Sequence, residues 1–231
     1  LIGFPGLVRR RIHFVVASAL LFIAAALIGY LCIHEKSRLV DLAVPPVEQQ
    51  RLKSLAMSAK PNQPHPLARE GNFGLSSTIM VNNIRVSILA FATGIFLGIG
   101  TIIILINNGL MLGAMAALYT DAGFARYFWS LILPHGGIEL ACIFICGAAG
   151  LIVGYALINP GSYYRKDWVV KEGHDAIKLV IGTVPLLVLA ALIEAYITPA
   201  YLSPNAKLVL AAFFFLVLIA WMGIAAREDQ S

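Results

Sequence analysis

The sequence predicts an all-α fold, a polytopic bundle of helices embedded in a membrane. Three observations support this prediction. The 231 residues are 59% hydrophobic and 13% charged, the apolar residues form long blocks, and the lysines and arginines stand mainly at the ends of those blocks. Such blocks are typical of membrane spans. The net charge of +5 is then a topology signal, so no nucleic-acid partner is expected.

Five apolar runs approach or exceed the roughly 20 residues that a transmembrane helix needs. They are residues 12–33, 84–106, 138–158, 177–197 and 208–226. Two shorter apolar pieces, residues 110–119 and 124–133, lie between the second and third runs.

Orientation follows from the basic residues, because lysine and arginine are enriched in cytoplasmic loops. Arg9 to Arg11, residues 165–171 and Arg227 place both termini and the loop after residue 158 in the cytoplasm. The N-terminus and the loop after residue 158 can both be cytoplasmic only if an even number of crossings separates them. Residues 12–33, 84–106 and 138–158 supply three, so residues 110–119 must also cross. The prediction is therefore about six crossings of the membrane. A broken or re-entrant helix at 124–133 is expected before the Pro-His-Gly-Gly motif at 134–137.

This topology divides the chain into four parts. Residues 1–33 form a basic flank and the first span, 34–80 an extracytoplasmic loop, 81–227 a five-crossing core and 228–231 a cytoplasmic tail. The loop is proline-rich and contains a candidate amphipathic helix at 47–59, which suggests a docking segment. The three cysteines fall in apolar runs, so no disulfide framework is expected.

Pairs of glycines four residues apart recur in the spans, a spacing that lets helix backbones approach closely. The pairs are Gly94 with Gly98, Gly109 with Gly113, and Gly150 with Gly154. They predict helix packing within the chain, with a subunit interface as the alternative.

Polar residues interrupt the apolar runs at one predicted level of the membrane. His135 and Glu139 are four residues apart, which places them on one helix face. A charged residue within a span costs about 2.5 kcal/mol or more, so this face should point into the bundle. Glu194 and the pair Asn83 and Arg85 lie near the same outer ends of their own spans. The predicted polar or ligand site consists of Asn83, Arg85, His135, Gly136, Glu139 and Glu194.

Four interpretations of this site remain open. Arg85 and the asparagines could neutralise and hydrogen-bond the glutamates, which would make the site structural. Glu139 and Glu194 could relay a proton or an ion. His135, Glu139 and Glu194 could bind a divalent metal, the one cofactor that the residues suggest. Binding of a lipid headgroup or a peptide is the fourth. No nucleophile motif or phosphate loop is present, and catalysis is not expected.

Several short motifs together resemble the stage II sporulation protein M family. They are Asn82-Asn83, NNG at 107–109 followed by Gly113, LPHGGIEL at 133–140, GAAGL at 147–151, INPG at 158–161 and LIEAYITP at 192–199. The resemblance implies a polytopic inner-membrane protein, with family polar positions at Asn83, His135, Gly136, Glu139 and Glu194. In spore formers the namesake belongs to a complex that remodels peptidoglycan.

The preferred hypothesis is a scaffold or core subunit of a bacterial envelope complex. Its expected partners are the lipid bilayer and other membrane proteins or further copies of itself. The alternative is an autonomous transporter or lipid-handling protein that uses Glu139 and Glu194 as protonatable gates. An intramembrane metalloenzyme is the third hypothesis.

Overall fold

The fold consists of α-helices. The computed structural model describes residues 3–34, 50, 73–161, 164–198, 200 and 202–228. These ranges contain seven α-helices and no β-strand. The helices are α1 (Phe4–Arg10), α2 (Ile12–His34), α3 (Phe73–Ala92), α4 (Ile99–Asp121), α5 (Ala125–Ile158), α6 (Arg165–Ile197) and α7 (Pro204–Glu228). The predicted all-α class is confirmed.

Most of these helices are suited to a membrane. Among the described residues, five helical segments are long and apolar enough to cross one. They are Ile12–Ile33, Ile99–Asp121, Ala125–Ile158, Lys166–Ile197 and Pro204–Ile224, which belong to α2, α4, α5, α6 and α7. The predicted polytopic helical bundle is therefore confirmed.

Helices α5, α6 and α7 run in alternating directions. Near the start of α5, His135 meets Thr198 directly after the end of α6. Lys207 near the start of α7 meets the same threonine. We call this the cluster end of the bundle. The other end, where Phe4 of α1 stacks on Trp221 late in α7, is the terminal end.

Helices α2, α3 and α4 continue the alternation. Gly109 and Gly113 of α4 lie against Phe22 and Ala26 of α2, so these two helices run in the same direction. α3, which lies between them in the sequence, runs in the opposite direction, because Thr101 at the start of α4 donates a hydrogen bond to the carbonyl of Ala90 at the end of α3. The six helices from α2 to α7 thus make six passes along the bundle, and among the described residues five of them are candidate membrane spans.

The predicted second span, residues 84–106, is not one helix. α3 ends at Ala92, a 3₁₀ turn follows at Thr93–Ile95, and Leu97 and Gly98 both adopt positive φ angles, of 55° and 80°. The hairpin at 93–98 therefore replaces the turn that was expected between the runs 84–106 and 110–119. Asn108 instead lies within α4, where its amide donates to the carbonyl of Ile104. Hydropathy gave no warning of this turn, because its residues are all small or apolar apart from Thr93.

The expected break before the motif at 134–137 is also corrected. α5 contains Pro134 without a break and is 34 residues long in all, which corresponds to about 51 Å at 1.5 Å per residue. Proline removes one backbone hydrogen bond, which a membrane helix tolerates where neighbouring helices cover it. Pro134 is fully buried, so this condition is met. The segment 124–133 is therefore not a separate re-entrant helix, because α5 begins at Ala125.

The glycine pairs lie where helix backbones approach most closely. Gly94 faces Gly150, and Gly98 lies beside Gly154, so the α3–α4 hairpin packs on α5 through glycine on both sides. A Cβ atom on Gly94 or Gly150 would collide with backbone atoms of the opposing segment. The described residues thus place these glycines in contacts within one chain.

The N-terminal flank is a short helix that turns back into the bundle. Phe4, Leu7 and Val8 of α1 are buried in an apolar core with residues of α5 and α6. Phe4 lies against Gly182, well inside α6. The segments 35–49 and 51–72, which hold nearly all of the predicted loop and of its amphipathic helix 47–59, lie outside the described residues. So do residues 229–231 of the predicted tail.

Candidate functional site

A buried polar cluster is centred on the face of α5 that carries His135 and Glu139. Both side chains are 2% exposed. The helical spacing places His135 Nε2 4.0 Å from Glu139 Oε2, which is too long for a hydrogen bond but close enough for electrostatic interaction. Asn83 of α3 donates a hydrogen bond from Nδ2 to the same Glu139 oxygen. α3 and α5 are therefore joined through a buried carboxylate.

Glu194 brings a second buried carboxylate to the cluster from α6. It is 2% exposed, and neither of its carboxylate oxygens has a hydrogen-bond partner among the described residues. It lies four residues before Thr198, one turn along the chain from the threonine that meets His135. The cluster therefore contains two buried carboxylates on two helices that pack against each other.

The cluster is completed by Thr198 and Lys207. Thr198 Oγ1 is 3.3 Å from His135 Nδ1, and the carbonyl of Thr198 accepts a hydrogen bond of 2.5 Å from Lys207 Nζ. Lys207 is 7% exposed. We use the name polar cluster for Asn83, His135, Glu139, Glu194, Thr198 and Lys207.

Sequence reasoning missed Lys207 and Thr198. The only signal was a lysine three residues after Pro204, directly before the last apolar run, where lysines commonly flank a span. Thr198 lay within the motif LIEAYITP but carries no charge. The sequence does not reveal that α7 packs mainly against α5, an arrangement that places Lys207 beside Thr198 at the end of α6.

Two predicted site residues do not join the cluster. The Arg85 side chain is exposed, and within the described ranges it forms no ion pair with either glutamate. Gly136 is buried, but the nearest atom to a Cβ built there is Ile132 Cγ2 of its own helix, at 3.0 Å. Neutralisation of the glutamates by Arg85 therefore has no support in the geometry.

Metal binding by His135, Glu139 and Glu194 stays a prediction. Among the described residues, no group of three or more His, Cys, Asp or Glu side chains is placed so that it could hold a metal ion. Cys142 and Cys146, which continue the stripe of His135 and Glu139 along α5, contact Thr183 instead. The geometry is better suited to holding helices together and to binding a proton or a small hydrogen-bonding cation.

A second ionic site lies at the terminal end. Arg11, between α1 and α2, pairs with Glu172 at 2.8 Å and with Asp175 at 2.7 Å. Burial alone would lower the pKa of Arg11, but the hydrogen bonds to Asp175 and Glu172 outweigh it, and the net effect is a raised pKa. The acidic residues are three apart on one helical face and lie at the same predicted level as Arg11. The sequence alone therefore could have predicted this ion pair, but the prediction did not include it.

Comparison with known proteins decides the family. The model of the family described as stage II sporulation protein M matches residues 18–199. The chain belongs to the stage II sporulation protein M family. The match contains all of the polar cluster except Lys207, and it excludes α1 and Arg11.

Similar curated proteins are uncharacterized. One from Methanocaldococcus jannaschii is 32% identical over 124 residues, which is 53% of this chain and 70% of that protein. A second from the same organism is 28% identical over 132 residues, 56% of this chain and 58% of that protein. No solved structure matches the chain. These relatives are archaeal, so assignment of the chain to a bacterium stays a prediction.

Proposed function

We propose that the chain is a non-enzymatic core subunit of a membrane protein complex in the cell envelope, in which the polar cluster fixes the relative positions of four helices. The observation that supports this most is a series of contacts between successive pairs of helices. Asn83 joins α3 to α5, His135 pairs α5 with Thr198 at the end of α6, and Lys207 joins α7 to the same threonine.

Such a network favours one arrangement of helices over its alternatives. A buried polar group that loses its partner costs about 1–3 kcal/mol, so a sliding or rotated helix is penalised at each contact. His135, Glu139 and Glu194 are also closed to solvent, each being 2% exposed. A closed, cross-linked cluster is what a rigid scaffold needs, and the partners would be other membrane proteins or further copies of this chain.

Purification of the full chain from its native membrane in mild detergent, followed by mass spectrometry, tests this proposal. We expect a fixed set of stoichiometric partners. Glu139→Gln should keep that set, since the amide oxygen still accepts from Asn83, whereas Glu139→Leu should lose it together with thermal stability. Asp167→Asn, an exposed carboxylate at the terminal end, is the matched control. A wild-type protein that purifies alone and in one copy contradicts the proposal.

Transport is the second candidate, and Glu194 is the observation that favours it. A buried carboxylate without a hydrogen-bond partner is unusual, and ionisable residues inside membrane bundles commonly carry protons or ions. In this function Glu139 and Glu194 act as protonatable gates.

Reconstitution distinguishes the two candidates. Liposomes containing the full chain and a trapped pH indicator should show proton flux under an imposed gradient if the chain transports. Glu194→Gln should abolish that flux while leaving the assembled complex intact. Wild-type liposomes that are as proton-tight as empty ones would exclude proton transport.

A further inference from the structure

A groove lies at the terminal end of the bundle, far from the polar cluster. It has a volume of about 600 Å³ and runs between α1 with the start of α2 on one side and the last turns of α7 on the other. Val8 and Ile12 line the first wall, and Met222 and Ile224 line the second. Ile12 and Ile224 are 49% and 63% exposed, so in a membrane the groove borders the lipid.

A cation stands beside these apolar walls. Arg9 lines the groove and is exposed, as is its neighbour Arg10. Arg11 differs, because Glu172 and Asp175 already neutralise it. In the part of the chain that the structure describes, Arg9 has no acidic partner of its own. The groove therefore combines an available positive charge with a surface that fits hydrocarbon.

We propose that this groove binds one anionic phospholipid, with its phosphate on Arg9 and an acyl chain along the walls formed by α1 and α7. Charge complementarity selects an anion, and basic pockets between membrane helices bind anionic headgroups for this reason. The apolar walls favour a lipid over a free anion, because an acyl chain can lie along them in van der Waals contact while it stays in the bilayer. This site is independent of the proposed scaffold and transport functions.

The position of α1 gives the bound lipid a structural consequence. α1 contacts α6 and α7 through Phe4, which lies against Gly182 and stacks on Trp221. A lipid that lies beside Val8 would contact both α1 and α7 from the membrane side and so stabilise their contact. Lipid occupancy should therefore stabilise the N-terminal helix in its inserted position.

Native mass spectrometry of the full chain, released from nanodiscs that contain equal amounts of phosphatidylglycerol and phosphatidylcholine, tests the proposal. We expect one phosphatidylglycerol to be retained preferentially. Arg9→Gln should weaken that retention about fivefold, the effect of one basic residue near an anionic membrane surface. Arg126→Gln, which removes an exposed arginine at the cluster end, should change nothing.

A second variant tests the apolar wall without touching charge. A Cβ on Gly223, which lines the groove, meets no atom within 4 Å, so Gly223→Leu should fill the groove without disturbing the fold. We expect it to reduce lipid retention with unchanged helical content. Equal retention of the two lipids by the wild type, or wild-type retention in both variants, would overturn the proposal. Loss of the bound lipid on adding inorganic phosphate alone would show a free-anion site instead.

Discussion

At the scale of single residues, Glu139 and Glu194 are equally buried but differently satisfied. Glu139 accepts a hydrogen bond from Asn83, whereas both oxygens of Glu194 lack a partner among the described residues. Removing Asn83 leaves a buried carboxylate unpaired. Removing the Glu194 carboxylate relieves a desolvation cost. Substitutions at neighbouring positions in one cluster should therefore change stability in opposite directions.

We expect Asn83→Ala to lower the free energy of unfolding by about 1–3 kcal/mol. Glu194→Leu should leave it unchanged or raise it, by about 1 kcal/mol or more. Thermal unfolding of the two variants in the same detergent measures both effects. If Glu194→Leu lowered the midpoint as much as Asn83→Ala does, Glu194 would be a structural partner rather than an unsatisfied group.

Helical geometry alone explains which of the predicted site residues lie together. His135 and Glu139 share a face because they are four apart, and Glu194 reaches the same level because its span has the opposite direction. Arg85 does not join the polar cluster for the same geometric reason. It lies two residues from Asn83, about 200° around α3, so only one of the two can face α5.

At the scale of elements, the glycine contacts set how closely helices pack. A Cβ atom on Gly150 would overlap backbone at Ala90 and the side chain of Thr101. Gly173 in α6 offers a matched comparison, because a Cβ there meets nothing within 4 Å. We expect Gly150→Ala to destabilise the fold by about 1–3 kcal/mol through overpacking. Gly173→Ala should stabilise it by up to about 1 kcal/mol, since alanine favours helix. Unfolding midpoints that move in the same direction would contradict this packing account.

Arg11 joins the α1–α2 connection to α6, and its raised pKa fixes the expected pH dependence. A cation whose folded-state pKa exceeds its unfolded value contributes stability that is fully present below the unfolded pKa. That stability is lost only as pH rises through the folded value. Since arginine is protonated in both the folded and the unfolded state at pH 7 and at pH 10, the contribution of Arg11 should not vary between those pH values.

Arg11→Gln should therefore cost about 1–3 kcal/mol across that pH range. Denaturant unfolding at both pH values, with Arg10→Gln as the exposed control, measures the effect. A cost that halves between pH 7 and 10 would show that another titrating group carries the contribution.

Element boundaries were the least predictable feature. The sequence indicated continuous apolar character at 84–106, where the chain turns, and a break at Pro134, where the helix continues. The turn depends on Gly98 adopting a left-handed conformation beside Gly154, and continuity at Pro134 depends on cover from neighbouring helices. Both causes are tertiary contacts, which a hydropathy profile does not contain.

At the scale of the whole molecule, the number of helical passes along the bundle equals the expected number, although two helix boundaries were predicted wrongly. The expected crossing at 110–119 is the second half of α4, and the expected second span is α3 with the first half of α4. Two helix boundaries differ from the prediction, but the number of passes between the basic groups at 9–11 and 165–171 stays even. An even number is required because both groups are expected on the same side of the membrane. Arg11 and Glu172 do lie together, at the terminal end.

The side of the membrane that each end faces is the remaining whole-molecule prediction. The excess of basic residues predicts that the terminal end faces the cytoplasm. In a background without native cysteines, Asn205→Cys, exposed at the cluster end, should react with an impermeant thiol reagent added outside intact cells. Asp167→Cys, exposed at the terminal end, should react only after permeabilisation. The reverse pattern would invert the bundle, placing the polar cluster near the cytoplasmic surface and the Arg9 groove in the outer leaflet. Because the contacts among helices are the same in either orientation, this experiment tests the charge rule separately from the fold.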